Sequence, residues 1–153
     1  MSIRKKIRND YYNHYDSIKK LIPAILNPSF QAVLLLRIAE NASVITFWFW
    51  RTVLILKHSI DVGRGFSIGD NIRLPHPVGI VIGGGVVIGS NVTLYQNVTL
   101  GMKSGGYPII GDGSVIYPSS VVVGGITLGA KVIIGALSFV DHDVDSGVVF
   151  KRK

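Results

Sequence analysis

From Val62 onward the chain places an aliphatic side chain at every sixth residue: Val62, Ile68 and Leu74, then Ile82, Ile88, Leu94 and Leu100, then Ile110, Ile116, Val122, Leu128, Ile134 and Val140. Glycine follows many of them, as in Ile68-Gly69, Ile88-Gly89 and Ile134-Gly135. Four residues after each aliphatic comes a second small or aliphatic side chain: Phe66, Ile72, Val78, Val86, Val92, Val98, Ser114, Ser120, Ile126, Val132, Ser138 and Val144. A period of six is neither helical nor a simple strand alternation. It describes short strands separated by tight turns, with both recurring side chains pointing inward and glycine supplying turn conformations. Stacked coils of this kind pair their strands in parallel around a continuous apolar column, and the hexapeptide period is the signature of a parallel β-helix. A glycine-rich β-sandwich would not keep so strict a period.

The period breaks twice. Leu74 and Ile82 are eight residues apart, and Leu100 and Ile110 are ten apart. Insertions in a solenoid leave the coil as loops, often on the functional face. The first break holds Pro75-His76-Pro77, the second Met102-Lys103-Ser104-Gly105-Gly106-Tyr107-Pro108.

Residues 1–57 have a different texture. They contain no glycine, whereas all 18 glycines lie from Gly63 onward. The pattern predicts helices over 16–27 and 30–57, with Ser29 as N-cap of the second after Pro28. The fold class is therefore mainly β, with an N-terminal helical segment (1–57) followed by a β-helix domain (58–153). The chain of 153 residues fits one domain with a small appendage. It has no cysteine, which excludes disulfides and thiolate metal sites.

Charge is uneven. Residues 1–58 carry nine Lys/Arg against three Asp/Glu, whereas 59–153 carry seven against six. Such a basic segment attracts polyanions, acidic lipid or a phosphorylated ligand, or forms a solvated helix face. Nucleic acid is not among the expected partners. The run Val44–Leu56 is strongly apolar, but it contains Arg51 and falls short of the roughly 20 residues of a membrane span. The first residues show no secretory h-region. The expectation is a soluble cytoplasmic protein able to touch the inner face of a membrane.

The stretch RLPHPVGIVIGGGVVIGSNVTLYQNVTLG (Arg73 to Gly101) resembles the serine O-acetyltransferase branch of the hexapeptide-repeat acyltransferases, and PSFQAVLLLRIAENA (Pro28 to Ala42) resembles the helix that precedes their β-helix. The resemblance implies a left-handed parallel β-helix, although parallel crossovers are otherwise right-handed. It also implies acetyl-CoA as co-substrate, bound between neighbouring β-helices, and a homotrimer. Two motifs depart from that branch. Pro75 stands where the family has Asp before its catalytic His, and Gly106-Tyr107-Pro108 stands where serine-specific members have Arg-His-Pro. The family's Arg and His hold the amino-acid substrate, so their loss points to a saccharide acceptor, such as a surface polysaccharide or its precursor. Serine O-acetylation is the alternative, and a non-catalytic β-helix scaffold is a third reading.

Acetyl transfer to a hydroxyl requires a base and donors for the oxyanion. Of His14, His58, His76 and His142, only His76 lies at a break in the repeat, and it matches the family's general base. Asp61, fifteen residues earlier, matches the acidic partner of that His, or else caps a turn. The resemblance places Gly101 and Lys103 on the acyl-CoA side, and Ser120 and Ala136 along the pantetheine arm, with solvation or repeat packing as alternatives. Gln96, Tyr107 and, through a loose N-terminal match, Asp16 are candidate acceptor contacts. Asp141-His142-Asp143 looks like a metal triplet but lacks further ligands, and no metal is expected. The clusters Gly83-Gly84-Gly85 and Gly105-Gly106 have no following helix signal and are not nucleotide loops.

Overall fold

The structure, a computed structural model, describes residues 3–14 and 26–151. Helices α1 (Ile3–His14), α2 (Pro28–Glu40) and α3 (Val44–His58) precede the solenoid. The strands are β1 (Asp61–Val62), β2 (Ser67–Ile68), β3 (Val81–Ile82), β4 (Val87–Ile88), β5 (Thr93–Leu94), β6 (Thr99–Gly101), β7 (Ile109–Ile110), β8 (Val115–Ile116), β9 (Val121–Val123), β10 (Thr127–Leu128), β11 (Ile133–Ile134), β12 (Phe139–Val140) and β13 (Val149–Phe150). They form three parallel sheets, ordered β1-β3-β6-β9-β12, β10-β7-β4-β2 and β13-β11-β8-β5. Each sheet is one side of a three-sided coil, and each strand pairs with the equivalent strand of the next coil.

Register stacks the aliphatics. Val62 pairs with Ile82, Ile82 with Leu100, Leu100 with Val122 and Val122 with Val140. All thirteen period-six side chains are buried. At about 1.5–3 kcal/mol per fully buried aliphatic, this column is the main stabilising term. Among the second inward positions one expectation fails. Val78 is exposed, and Ile80 is buried in its place, because the two extra residues of the first break shift the interior position.

Glycine's role also differs from the expectation. The glycines after the aliphatics do not adopt positive φ; the left-handed residue falls two positions later, at Asn71, Asn91, Gly113 or Lys131. Gly69 and Gly111 are instead required by close stacking, since a Cβ there would strike the backbone of Gly89 and Gly129 in the next coil. The C-terminal tail is part of the solenoid rather than an appendage, because β13 pairs with β11.

The helical segment corrects three further expectations. The single helix over 30–57 is two helices, broken at Asn41–Ser43, where the Ser43 side chain accepts from Thr46 N and caps α3. The N-cap of α2 is Asn27, which accepts from Ser29 N and Phe30 N, with Pro28 in the first turn. Helix α1 was not foreseen. Most of the helix expected over 16–27 lies outside the described residues.

The helices cap the open edge of the solenoid through a buried ionic node. Arg37 is fully buried; its Nε donates to Asp10 Oδ2 at 2.8 Å, Nη1 to the Ile68 carbonyl at 2.8 Å and Nη2 to the Gly69 carbonyl. Glu40 accepts from the Ile68 N–H at 2.9 Å, and Lys6 donates to the Ile68 carbonyl at 2.8 Å. The free edge of β2 is thus satisfied by side chains from α1 and α2, which blocks strand addition. Replacing Arg37 with Met leaves Asp10 buried without its cation and should cost about 3–5 kcal/mol, read by urea unfolding. Adding Asp10→Leu should restore part of the loss.

His58 ends α3, buried, with Nε2 lacking a partner among the described residues. Burial, helped by Lys57, lowers its pKa below the ordinary 6.5. The unfolded chain therefore binds more protons than the folded one as pH falls below 6.5. This contribution to stability is intact above that value and is lost on acidification. Thermal unfolding should show a drop in Tm between about pH 7.5 and about pH 5.5 that is smaller in His58→Gln.

Candidate active site

The two interruptions of the repeat lie on opposite edges of the sheet that contains β1. The first lies where the chain passes from the β5-containing sheet into β3. His76 is exposed there, between Pro75 and the buried Pro77. Ser29 Oγ donates to the Leu74 carbonyl at 2.7 Å and lies 3.2 Å from the Pro75 carbonyl, which fixes the peptide leading into His76. Val78 N donates back to the His76 carbonyl at 2.8 Å and closes the turn. Among the described residues the imidazole has no hydrogen bond or ion pair.

Successive coils build a column along this corner. The His76 ring stands 6.4 Å from that of Tyr95, which stacks on Tyr117 at 5.1 Å with the planes 7° apart. Beyond Tyr117, a cleft of about 440 Å³ is lined by Gly135, Ala136 and Lys151. Gln96 lies on the same corner, its Oε1 buried without a partner among the described residues. Tyr95, Tyr117 and Ser29 were not anticipated. The two tyrosines could have been found by aligning successive coils at the residue that follows each third-side strand; Ser29 had been assigned to a helix cap.

The second interruption lies between β6 and β7. Gly101 ends β6, and the chain then makes a tight hairpin. Lys103 N donates to the Gly106 carbonyl and Gly106 N to the Lys103 carbonyl, both at 3.1 Å. Ser104 and Gly105 both have positive φ, as a type I′ turn requires. Tyr107 lies on the backbone of Gly83 and Gly85, where a Cβ at either position would collide with the ring. The triple-glycine run is thus a seat for Tyr107. Lys103 Nζ is held 2.6 Å from Asp141 Oδ2 and sits over the Phe139 ring. The hydrogen bond from Lys103, then that from His142, keeps the Asp141 carboxyl below its usual range.

Asp61 faces outward on β1. Its carboxylate is held in a two-point contact by Arg51 of α3, at 2.7 and 3.0 Å, and no hydrogen bond joins it to His76. The Arg51 guanidinium also lies 5.6 Å from the Trp48 ring centroid. Trp48, Arg51, Asp61, Arg64 and Tyr107 line a cleft of about 430 Å³. Arg64 is exposed, and among the described residues it has no hydrogen bond or ion pair.

The structure therefore groups His76, Gln96 and Ala136 on one corner and Gly101, Lys103 and Tyr107 on another, with Asp61 on the sheet between them. Ser120 does not line a cofactor path. It is buried, its Oγ donating to the Gly135 carbonyl at 2.8 Å, because it occupies the second inward position of its coil. Asp16 lies outside the described residues. The Asp141-His142-Asp143 run is spent on local contacts, with Asp143 accepting from Thr127 N, and no group of three or more metal-ligating side chains occurs among the described residues.

No protein-family model and no curated protein sequence matches the chain. Solved structures do. Serine acetyltransferase isoform 3 of Entamoeba histolytica, in complex with cysteine, is 30% identical with a TM-score of 0.81, over 94% of this chain and 56% of that one. The serine acetyltransferase of Neisseria gonorrhoeae is 28% identical with a TM-score of 0.83, over 94% of this chain and 61% of that one. The soybean apoenzyme is 28% identical with a TM-score of 0.83, over 95% of this chain and 64% of that one. The chain thus spans less than two thirds of each of these proteins. The likeness favours the serine reading over the saccharide acceptor expected from the second loop. The chain has the left-handed parallel β-helix of the hexapeptide-repeat acyltransferase superfamily, and its structural neighbours are the serine acetyltransferases of that superfamily.

Proposed function

We propose that the chain is an acetyl-CoA-dependent O-acetyltransferase with His76 as general base. The observation that carries this reading is the setting of His76: an exposed imidazole with both ring nitrogens uncommitted, on a corner braced by Ser29 and two prolines. In the reaction, the imidazole takes the acceptor's hydroxyl proton as the oxygen attacks the thioester carbonyl. Backbone N–H groups of the second loop, after Gly101, are candidates to hold the oxyanion. Collapse expels the CoA thiolate, which recovers the proton from the imidazolium. We place the pantetheine arm along Tyr117 and Ala136. A serine acetyltransferase solved with CoA, 25% identical to this chain, supports the choice of co-substrate.

His76 and the Tyr107 loop occupy opposite edges of one sheet, so we infer a trimer whose sites lie between copies. One copy supplies His76, and the next supplies Asp61 and Tyr107. Replacing His76 with Ala should lower turnover by about 10²–10⁴-fold, with acetyl-CoA binding and a trimeric sedimentation mass retained. Asp61→Asn should cost less. Turnover within a few-fold of the parent in His76→Ala would remove this residue from the mechanism.

For the acceptor, the neighbours support L-serine. The geometry adds a reason: Arg51 and Arg64 bring guanidinium groups to the Tyr107 cleft, where a carboxylate can be held without the missing loop Arg. A saccharide is the second reading, favoured by the Tyr107 and Trp48 rings in the same cleft. With thiol release as readout, L-serine should give kcat/KM of about 10⁴ M⁻¹s⁻¹ or above, and Arg64→Gln should raise KM for serine more than it lowers kcat. Inert serine together with turnover of a saccharide would establish the second reading.

A further inference from the structure

We propose that α3 is a membrane-surface anchor that holds the protein against anionic lipid. The helix buries one narrow stripe, Phe47, Leu54 and His58, against the rest of the fold. A helix of this kind ordinarily carries polar residues on the opposite side. Here the opposite side is Ile45, Phe49, Thr52 and Leu56, spaced four, three and four residues apart, with Trp48 beside them. These apolar side chains are exposed: Ile45 86%, Leu56 83%, Phe49 61% and Trp48 56%. Nothing in the fold covers them. The helix has 15 residues, and no described helix is long and apolar enough to cross a membrane. An apolar stripe containing Trp and Phe on so short a helix suits the boundary between headgroups and acyl chains.

Charge selects the occupant. Among the described residues of the helical segment no carboxylate is exposed, because Asp10 is buried on Arg37 and Glu40 is paired with Lys6 and Arg37. The exposed charges there include Arg4, Lys5, Arg8 and Lys57, all positive. An anionic lipid surface complements both features of this segment, its apolar stripe and its positive charge. A second copy would present like charge to like charge.

The test uses the full chain and sedimentable vesicles of phosphatidylcholine, alone or with roughly a third phosphatidylserine. The chain should co-sediment with the anionic vesicles, less so as salt is raised, and only weakly with the neutral ones. Ile45→Ser, Phe49→Ser and Leu56→Ser combined should lower binding at least tenfold with unchanged circular dichroism and unchanged assembly mass, because the replaced side chains make no core contact. Arg4→Glu with Lys5→Glu should weaken binding to the anionic vesicles alone. The proposal is overturned if the parent chain stays in the supernatant with anionic vesicles, or if the triple-serine variant binds as well as the parent. It is also overturned if that variant falls to a smaller assembly, which would show that another copy covers the stripe. None of these readouts depends on acetyl transfer.

Discussion

A parallel solenoid must end somewhere, and its first coil offers peptide groups with no coil below to pair them. This constraint organises the N-terminal half of the molecule. Ile68 on β2 is satisfied on one side by β4 and on the other by Glu40, Lys6 and Arg37. Buried charges are tolerated there because each has a partner: Arg37 is shared among two carboxylates and two carbonyls. The same docking sets where α2 begins, and so puts Ser29 beneath the Leu74 and Pro75 carbonyls next to His76. Capping the core and shaping the catalytic corner are thus consequences of one packing arrangement.

The solenoid has separate devices for stability and chemistry. Inward positions are aliphatic or hydrogen-bonded serine and leave nothing free to react. Outward positions at the corners repeat from coil to coil, so a reactive side chain acquires aligned neighbours along the axis. Tyr95 and Tyr117 stack because coil spacing matches ring spacing. The two insertions add two and four residues to the repeat without disturbing the register of the coils that follow. That tolerance follows from nearest-neighbour coupling between coils.

Much of this was legible in the sequence because the solenoid's interactions are periodic. The six-residue spacing placed all thirteen core aliphatics and located both loops, and His76 stood out as the histidine inside a break. Glycine's part was visible in position but not in cause: the sequence marks where it occurs, whereas only coil-to-coil contact shows that a Cβ has no room at Gly69 or Gly111. Val78 was misplaced because a spacing rule cannot say which residues of an insertion leave the coil. Ser120 was misjudged because serine looks polar and available until its coil position is known.

What the sequence determined by itself is the local and repeating part: the strands, the turns, the inward column and the breaks. These depend on side-chain size and backbone freedom over a few residues. The tertiary structure alone decided the contacts between segments distant in sequence. It assigned Asp61 to Arg51 rather than to His76, seated Tyr107 on Gly83 and Gly85, tied Lys103 to Asp141 and left the outer face of α3 bare. No periodicity encodes such pairings, because each depends on how an aperiodic helical segment and two irregular loops fold back onto the regular coil.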